Sequence, residues 1–168
     1  MTMNGILIEQ LLLDELRRRK LTFAAAESCT GGLIAKRITD LSGASAVFRG
    51  GVVSYTNDVK RDVLGVPQDI LDRYGAVSEE CARAMAQGAR TITGADIAVS
   101  VTGVAGPDPD ERGNEVGLVY IGLATPDGTF CRTLTLGKRR RDRIQDLSTN
   151  HAFDVVRRYL SDLPICLK

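Results

Sequence analysis

Apolar positions along the chain alternate between two periods, and the switches between them mark out the elements. Residues 6–20 carry Leu7, Leu11 and Leu12 on one side with charges gathering later, the pattern of an amphipathic helix. Residues 22–27 are small and apolar and predict a short buried strand, followed by a helix over 33–41 and a loop at Ser42-Gly43-Ala44-Ser45. Val52, Val53 and Tyr55 are β-branched or aromatic and predict a strand over 52–55. A short helix over 57–64 follows, with Asn57 as its N-cap, before Val66-Pro67 breaks it and another turn or two forms over 68–74.

The clearest helical signal begins at Ser78, a capping residue with Glu79 and Glu80 behind it. Ala82, Met85, Ala86 and Ala89 are spaced for packing, and Gly94 is the stop. Residues 96–101 predict an apolar strand running into a glycine-rich turn, Thr102 to Gly106, and then a polar stretch over 108–115 that reads as a mobile loop. Pro126-Asp127-Gly128 between two apolar runs, 117–125 and 129–136, predicts a hairpin. A helix over 142–160 ends the pattern. Helices alternating with strands and a late hairpin predict one α/β domain over 1–168, a three-layer sandwich with a mixed sheet and helices on both faces.

Composition narrows the chemistry. A length of 168 residues suits a single core, and a net charge of +1 argues against a protein that coats nucleic acid. The basic run 138–143 is local and reads as a solvated face or, beside a pocket, a phosphate seat. Four cysteines, at 29, 81, 131 and 166, form no CxxC pair, which sets aside the common zinc and dithiol spacings. With no signal-like or membrane-length apolar segment, the expectation is a cytoplasmic protein with reduced thiols. His151 is the one histidine, so acid–base work falls to carboxylates, lysines and tyrosines.

Two arrangements then stand open. Ser45, Tyr55 and Lys60 form a serine–tyrosine–lysine centre if the chain folds back around Gly50-Gly51. A serine hydroxyl needs a base beside it, and lysine serves only when burial makes it neutral. Ser28 is the alternative nucleophile: it sits where a strand turns into a helix, although the Gly-x-Ser-x-Gly frame is absent. Backbone N–H groups at that turn favour anions. Cys29 beside it reads either as a thiolate at a helix N-terminus or as a small buried residue.

The segments Glu27-Ser28-Cys29-Thr30-Gly31-Gly32, Phe48-x-Gly50-Gly51-Val52-Val53-Ser54-Tyr55, Leu64-Gly65-Val66-Pro67, Gly75-Ala76-Val77-Ser78-Glu79-Glu80, Thr102-Gly103-x-Ala105-Gly106-Pro107 and Val116-Gly117-Leu118-Val119-Tyr120-Ile121-Gly122-Leu123 resemble the CinA C-terminal domain family in order and spacing. The resemblance runs from about residue 7 to 160. Characterised enzymes of the family are nicotinamide mononucleotide deamidases, so it implies hydrolysis of that carboxamide to nicotinic acid mononucleotide and ammonia, with no metal or other cofactor in this domain. It implies Ser45 as nucleophile with Tyr55 and Lys60 activating it, and it places Ser28, Thr30, Gly31 and Gly32 in a first pocket motif and Thr102, Gly103, Ala105 and Gly106 in a second. An arginine at the start of the last helix would seat the phosphate. Counting back from Ala152 favours Arg141 and counting on from Gly137 favours Arg139, because the family's Gly-Asp before the arginine is replaced here by Gly137-Lys138.

The resemblance further implies a dimer or larger homo-oligomer. Longer members carry an additional N-terminal domain, which this chain is expected to lack. The competing expectation is a catalytically silent nucleotide-binding or regulatory module linked to competence or DNA damage. Nucleic-acid binding through 138–143 is disfavoured by the near-neutral chain, and no membrane partner is expected.

Overall fold

Helices pack on both faces of a five-stranded mixed sheet in the computed structural model, which describes residues 2–3 and 6–165. Cys166 lies outside the described residues. A two-residue ribbon, β1 (Thr2–Met3) with β2 (Ile6–Leu7), leads into α1 (Ile8–Arg19). The helix therefore begins two residues later than its apolar spacing predicts. Its buried stripe is Ile8, Leu12, Leu13 and Leu16, while Leu7 is exposed.

The sheet is ordered β4-β3-β5-β6-β7. β3 (Phe23–Glu27) lies parallel to both β4 (Phe48–Val53) and β5 (Ile97–Gly103), and β6 (Leu118–Thr125) runs antiparallel to β5 and to β7 (Gly128–Thr135). The last pair is the hairpin predicted from Pro126-Asp127-Gly128. One face carries α1, α2 (Leu33–Thr39) and α6 (Arg141–Leu160). Their apolar sides meet Phe23, Ala25, Val99 and Ile121 in the larger core. On the other face α5 (Glu79–Thr93) covers the strands and α4 (Gln68–Arg73) packs on it, with Ala24, Ala26, Met85 and Ala89 buried between. Ser78 caps α5 as its sequence predicts, accepting the N–H of Cys81 at 3.2 Å, and Gly94 ends it in the left-handed region.

β4 starts four residues before the strand its apolar residues predict and ends two residues before that strand does, at Val53. It runs straight through Gly50 and Gly51, which pair with Ala24 and Ala25 of β3. The glycine pair is strand, not the fold-back that a serine–tyrosine–lysine centre at Ser45 requires.

Candidate active site

Every residue of β3 is buried, and its run of alanines lets helices approach from both sides. It ends at Glu27, which is 1% exposed and accepts the N–H groups of Gly32 (3.1 Å), Ile34 (3.0 Å) and Ala35 (2.9 Å). The N-terminus of α2 is thus closed by a carboxylate of the chain itself. Gly31 (φ +61°) and Gly32 (φ +103°) make the left-handed turn that brings these groups round to Glu27. Thr30 is buried, and Thr30, Gly31 and Gly32 line a shallow depression with Lys36 and Gln145, apart from the main cleft. The turn expected to seat a substrate thus lies apart from the main cleft, with the N–H groups of Gly31, Gly32, Leu33, Ile34 and Ala35 engaged within the chain.

The main cleft, about 540 Å³, opens at the carboxyl ends of the parallel strands. The connection after β3 turns to one face of the sheet and the one after β4 turns to the other, leaving the crevice typical of a topological switch point. Ser28 reaches it from the end of β3, and Lys60 from α3 (Asn57–Asp62) beyond the end of β4. Thr56, not Asn57, caps α3, accepting the N–H of Val59 at 3.4 Å.

Lys60 is 1% exposed, and its Nζ lies 2.7 Å from the Ser54 carbonyl oxygen and 3.1 Å from Ser28 Oγ. Burial pushes its pKa below the ordinary lysine value, opposed only weakly by the thiols of Cys81 and Cys29. Those thiols are themselves pushed up by burial, Cys29 to about 12 and Cys81 to about 11, so neither supplies a negative charge near neutral pH. Asp58 and Asp62 turn outward to Arg61, at 3.1 and 2.7 Å. A neutral Lys60 amine can donate to the Ser54 carbonyl and accept the Ser28 hydroxyl proton in one geometry. The same burial makes Cys29 an inert thiol, not a nucleophile.

Ser45 is not part of this arrangement. It sits exposed in a 3₁₀ turn, Ala44–Ala46, ahead of β4, beside Thr39, Leu41 and Phe48. Tyr55 and Lys60 follow the other end of the strand. Six extended residues at roughly 3.3 Å each separate the two ends by about 20 Å, so Ser45 cannot give its proton to Lys60. Of the two open arrangements, the structure assembles the one built on Ser28.

Tyr55 and Arg141 form the rim. Tyr55 is 58% exposed, and its hydroxyl accepts from Arg141 Nη2 at 2.7 Å while Arg141 Nη1 donates to the Gly106 carbonyl at 2.7 Å. Arg139 instead donates to the Leu136 carbonyl, and Arg140 pairs with Asp142 in solvent. Arg141 is therefore the one of the three that faces the cleft. Thr102, Gly103, Ala105 and Gly106 all line it, although the Thr102 hydroxyl is taken by the Ala76 carbonyl at 2.7 Å. Sequence reasoning missed Ala76, Val77, Asn57 and Arg112 as lining residues, the Ser54 carbonyl as the anchor of Lys60, and Gln145, whose Nε2 donates to the Cys29 carbonyl at 2.8 Å. Backbone partners carry no residue signature, so nothing in the sequence could flag them. His151, half-buried near Arg132 and Asp154, stands apart from the cleft lining.

An open mixed α/β sheet with a cleft serine bonded to a buried lysine at its switch point is the class of molecule this geometry defines. The chain belongs to the CinA family: the CinA C-terminal domain model matches residues 7–160. It is 49% identical over 157 residues to a CinA-like protein of Frankia casuarinae, covering 94% of this chain and 36% of that protein. It is 46% identical over 153 residues to a CinA-like protein of Desulfotalea psychrophila, covering 91% of this chain and 37% of that protein. The chain thus spans little more than a third of the length of the curated relatives it matches. Among solved structures, the competence/damage inducible protein CihA of Agrobacterium tumefaciens superposes with a TM-score of 0.86 at 36% identity, covering 92% of this chain and 93% of that one. A CinA superfamily protein of Klebsiella pneumoniae gives 0.88 at 28% identity, covering 93% and 99%. Among the described residues no helix is long and apolar enough to cross a membrane.

Proposed function

We propose that this chain is an amidohydrolase that removes the carboxamide nitrogen of nicotinamide mononucleotide, with Ser28 as nucleophile and Lys60 as its base. The carrying observation is the buried Lys60 amine 3.1 Å from the Ser28 hydroxyl oxygen. The family resemblance supplies the substrate. In this reading Ser28 Oγ attacks the carboxamide carbon as its proton passes to Lys60. The resulting ammonium returns that proton to the departing nitrogen, releasing ammonia and leaving an ester on Ser28. Water, deprotonated by the same amine, attacks the ester and frees nicotinic acid mononucleotide. Arg141, held by Tyr55 and Gly106 at the rim, is the cation offered to the phosphate.

Ammonia release from nicotinamide mononucleotide by the purified protein tests the reading. Ser28→Ala and Lys60→Met should each lose about 10³-fold or more in kcat, while Ser45→Ala keeps its rate within about twofold. A dead Ser45→Ala beside an active Ser28→Ala would overturn the assignment. Tight binding without ammonia release by the wild type would leave a silent nucleotide-binding module.

A further inference from the structure

We propose that Arg112 is a positioning residue: its guanidinium fastens the segment 108–115 as the outer wall of the cleft, and so fixes how tightly a ligand is held. This rests on the hydrolytic reading only for its kinetic readout.

The segment follows Gly106, the residue that Arg141 grips, and lines the cleft from Asp108 to Arg112. It is folded on itself. Asp110 Oδ1 accepts the N–H groups of Arg112 (3.0 Å) and Asn114 (2.8 Å), its Oδ2 accepts from Asn114 Nδ2 (2.8 Å), and the Gly113 N–H returns to the Asp110 carbonyl at 2.9 Å. Such a turn is stiff internally, yet these bonds do not fix its place against the rest of the molecule. Arg112 does that. Its Nη2 donates to the carbonyls of Leu71 (3.0 Å) and Asp72 (2.8 Å), and Nη1 reaches that of Arg73 at 3.4 Å.

These carbonyls close α4; that of Leu71 also accepts the Gly75 N–H at 3.1 Å, and a planar cation suits several such acceptors at once. The stem of Arg112 lies flat on Gly75 (φ +82°), where an added Cβ would stand 2.7 Å from its Cδ and Nε. The next residue, Ala76, lines the cleft, and its carbonyl accepts the Thr102 hydroxyl. One guanidinium therefore ties the outer wall to the inner wall of the same pocket. The polar composition of 108–115 reads as a mobile loop; with this anchor in place it is a fastened wall.

The test compares wild type, Arg112→Ala and Gly75→Ala. Arg112→Ala should raise KM for nicotinamide mononucleotide about fivefold or more with kcat within about twofold, speed amide exchange across 110–114, and leave the unfolding midpoint nearly unchanged. Gly75→Ala, which crowds the guanidinium off its seat, should give the same KM rise, and Arg112→Lys should recover only part of the loss. Calorimetric binding of the nucleotide to Ser28→Ala, with and without Arg112→Ala, reads the wall without turnover, and Kd should rise by the same factor. Unchanged KM and Kd, unchanged exchange, or kcat falling together with a large drop in thermal stability would each overturn the proposal. Binding that responds to Arg112 in a protein that releases no ammonia would overturn the hydrolytic reading alone, and absence of binding to any form would overturn both.

Discussion

Lys60 shows what one side chain needs in order to act as a base. Removing an ammonium from water without a counter-charge favours the neutral amine, and the two thiols beside Lys60 stay protonated, so nothing restores the charge. Under the proposed mechanism the active form is the deprotonated one, so kcat/KM should climb with pH as Lys60 loses its proton. The plateau should be reached below the ordinary lysine value of about 10.4. A pH profile that levels only above that value would show the amine to be unshifted. The sign for stability follows from the same shift. The unfolded chain carries a proton on this lysine that the folded one sheds, so its contribution to stability is fullest above the ordinary value and declines as pH falls toward the folded one. Ser28 was legible as a candidate because it sits where a strand turns into a helix, and Tyr55 and Lys60 because they stand at a strand end and in the short helix after it. What chose between Ser28 and Ser45 was a distance, and residue types do not encode distances.

Glu27 and Gly88 show how elements are placed. Glu27 closes three backbone N–H groups of α2 and immediately precedes Ser28. Glu27→Ala should cost about 2–3 kcal/mol, lowering the melting temperature by roughly 5–10 °C, and under the proposed mechanism should reduce activity with it because Ser28 loses its frame. Calorimetry and the ammonia assay on one preparation check both. Gly88, inside α5, meets the chain after α3: a Cβ there would stand 1.9 Å from the Leu64 carbonyl oxygen. Gly88→Ala should destabilise by about 3 kcal/mol through overpacking, measured by denaturant titration.

Most elements could be read from their periodicity and caps, and Ser78, Gly94 and the Pro126-Asp127-Gly128 turn are where local chemistry and fold agree. β4 could not. Gly50 and Gly51 carry no strand signal of their own and are extended because β3 offers them a partner, so a reading confined to neighbours along the chain mistakes them for a bend. Glu27 was likewise invisible as a cap, since the groups it satisfies lie five to eight residues ahead.

Across the whole molecule, Arg37 of α2 joins the helices of one face. It donates to Glu9 of α1 at 3.0 and 2.8 Å and to Asn150 of α6 at 3.0 Å, and lies over the Phe153 ring at 5.3 Å. Burial alone would raise the Glu9 carboxyl, but the bonds from Arg37 outweigh it and hold the group below its ordinary value. Its share of stability is therefore present above that ordinary value and is lost as pH falls through the folded one. Arg37→Ala, which strands a buried carboxylate, should cost about 3 kcal/mol at neutral pH and less in acid, a difference that urea titrations at two pH values resolve. The three-layer architecture was legible from the order of elements. The joining of α1, α2 and α6 through one arginine was not, because it depends on helix positions that only the packed molecule defines. The grip of Arg141 on Tyr55 and Gly106 spans 86 residues of chain to the first and 35 to the second. A ribosome that has not yet released the start of α6 accordingly holds a polypeptide with its serine and lysine already made but no cation at the mouth of the cleft.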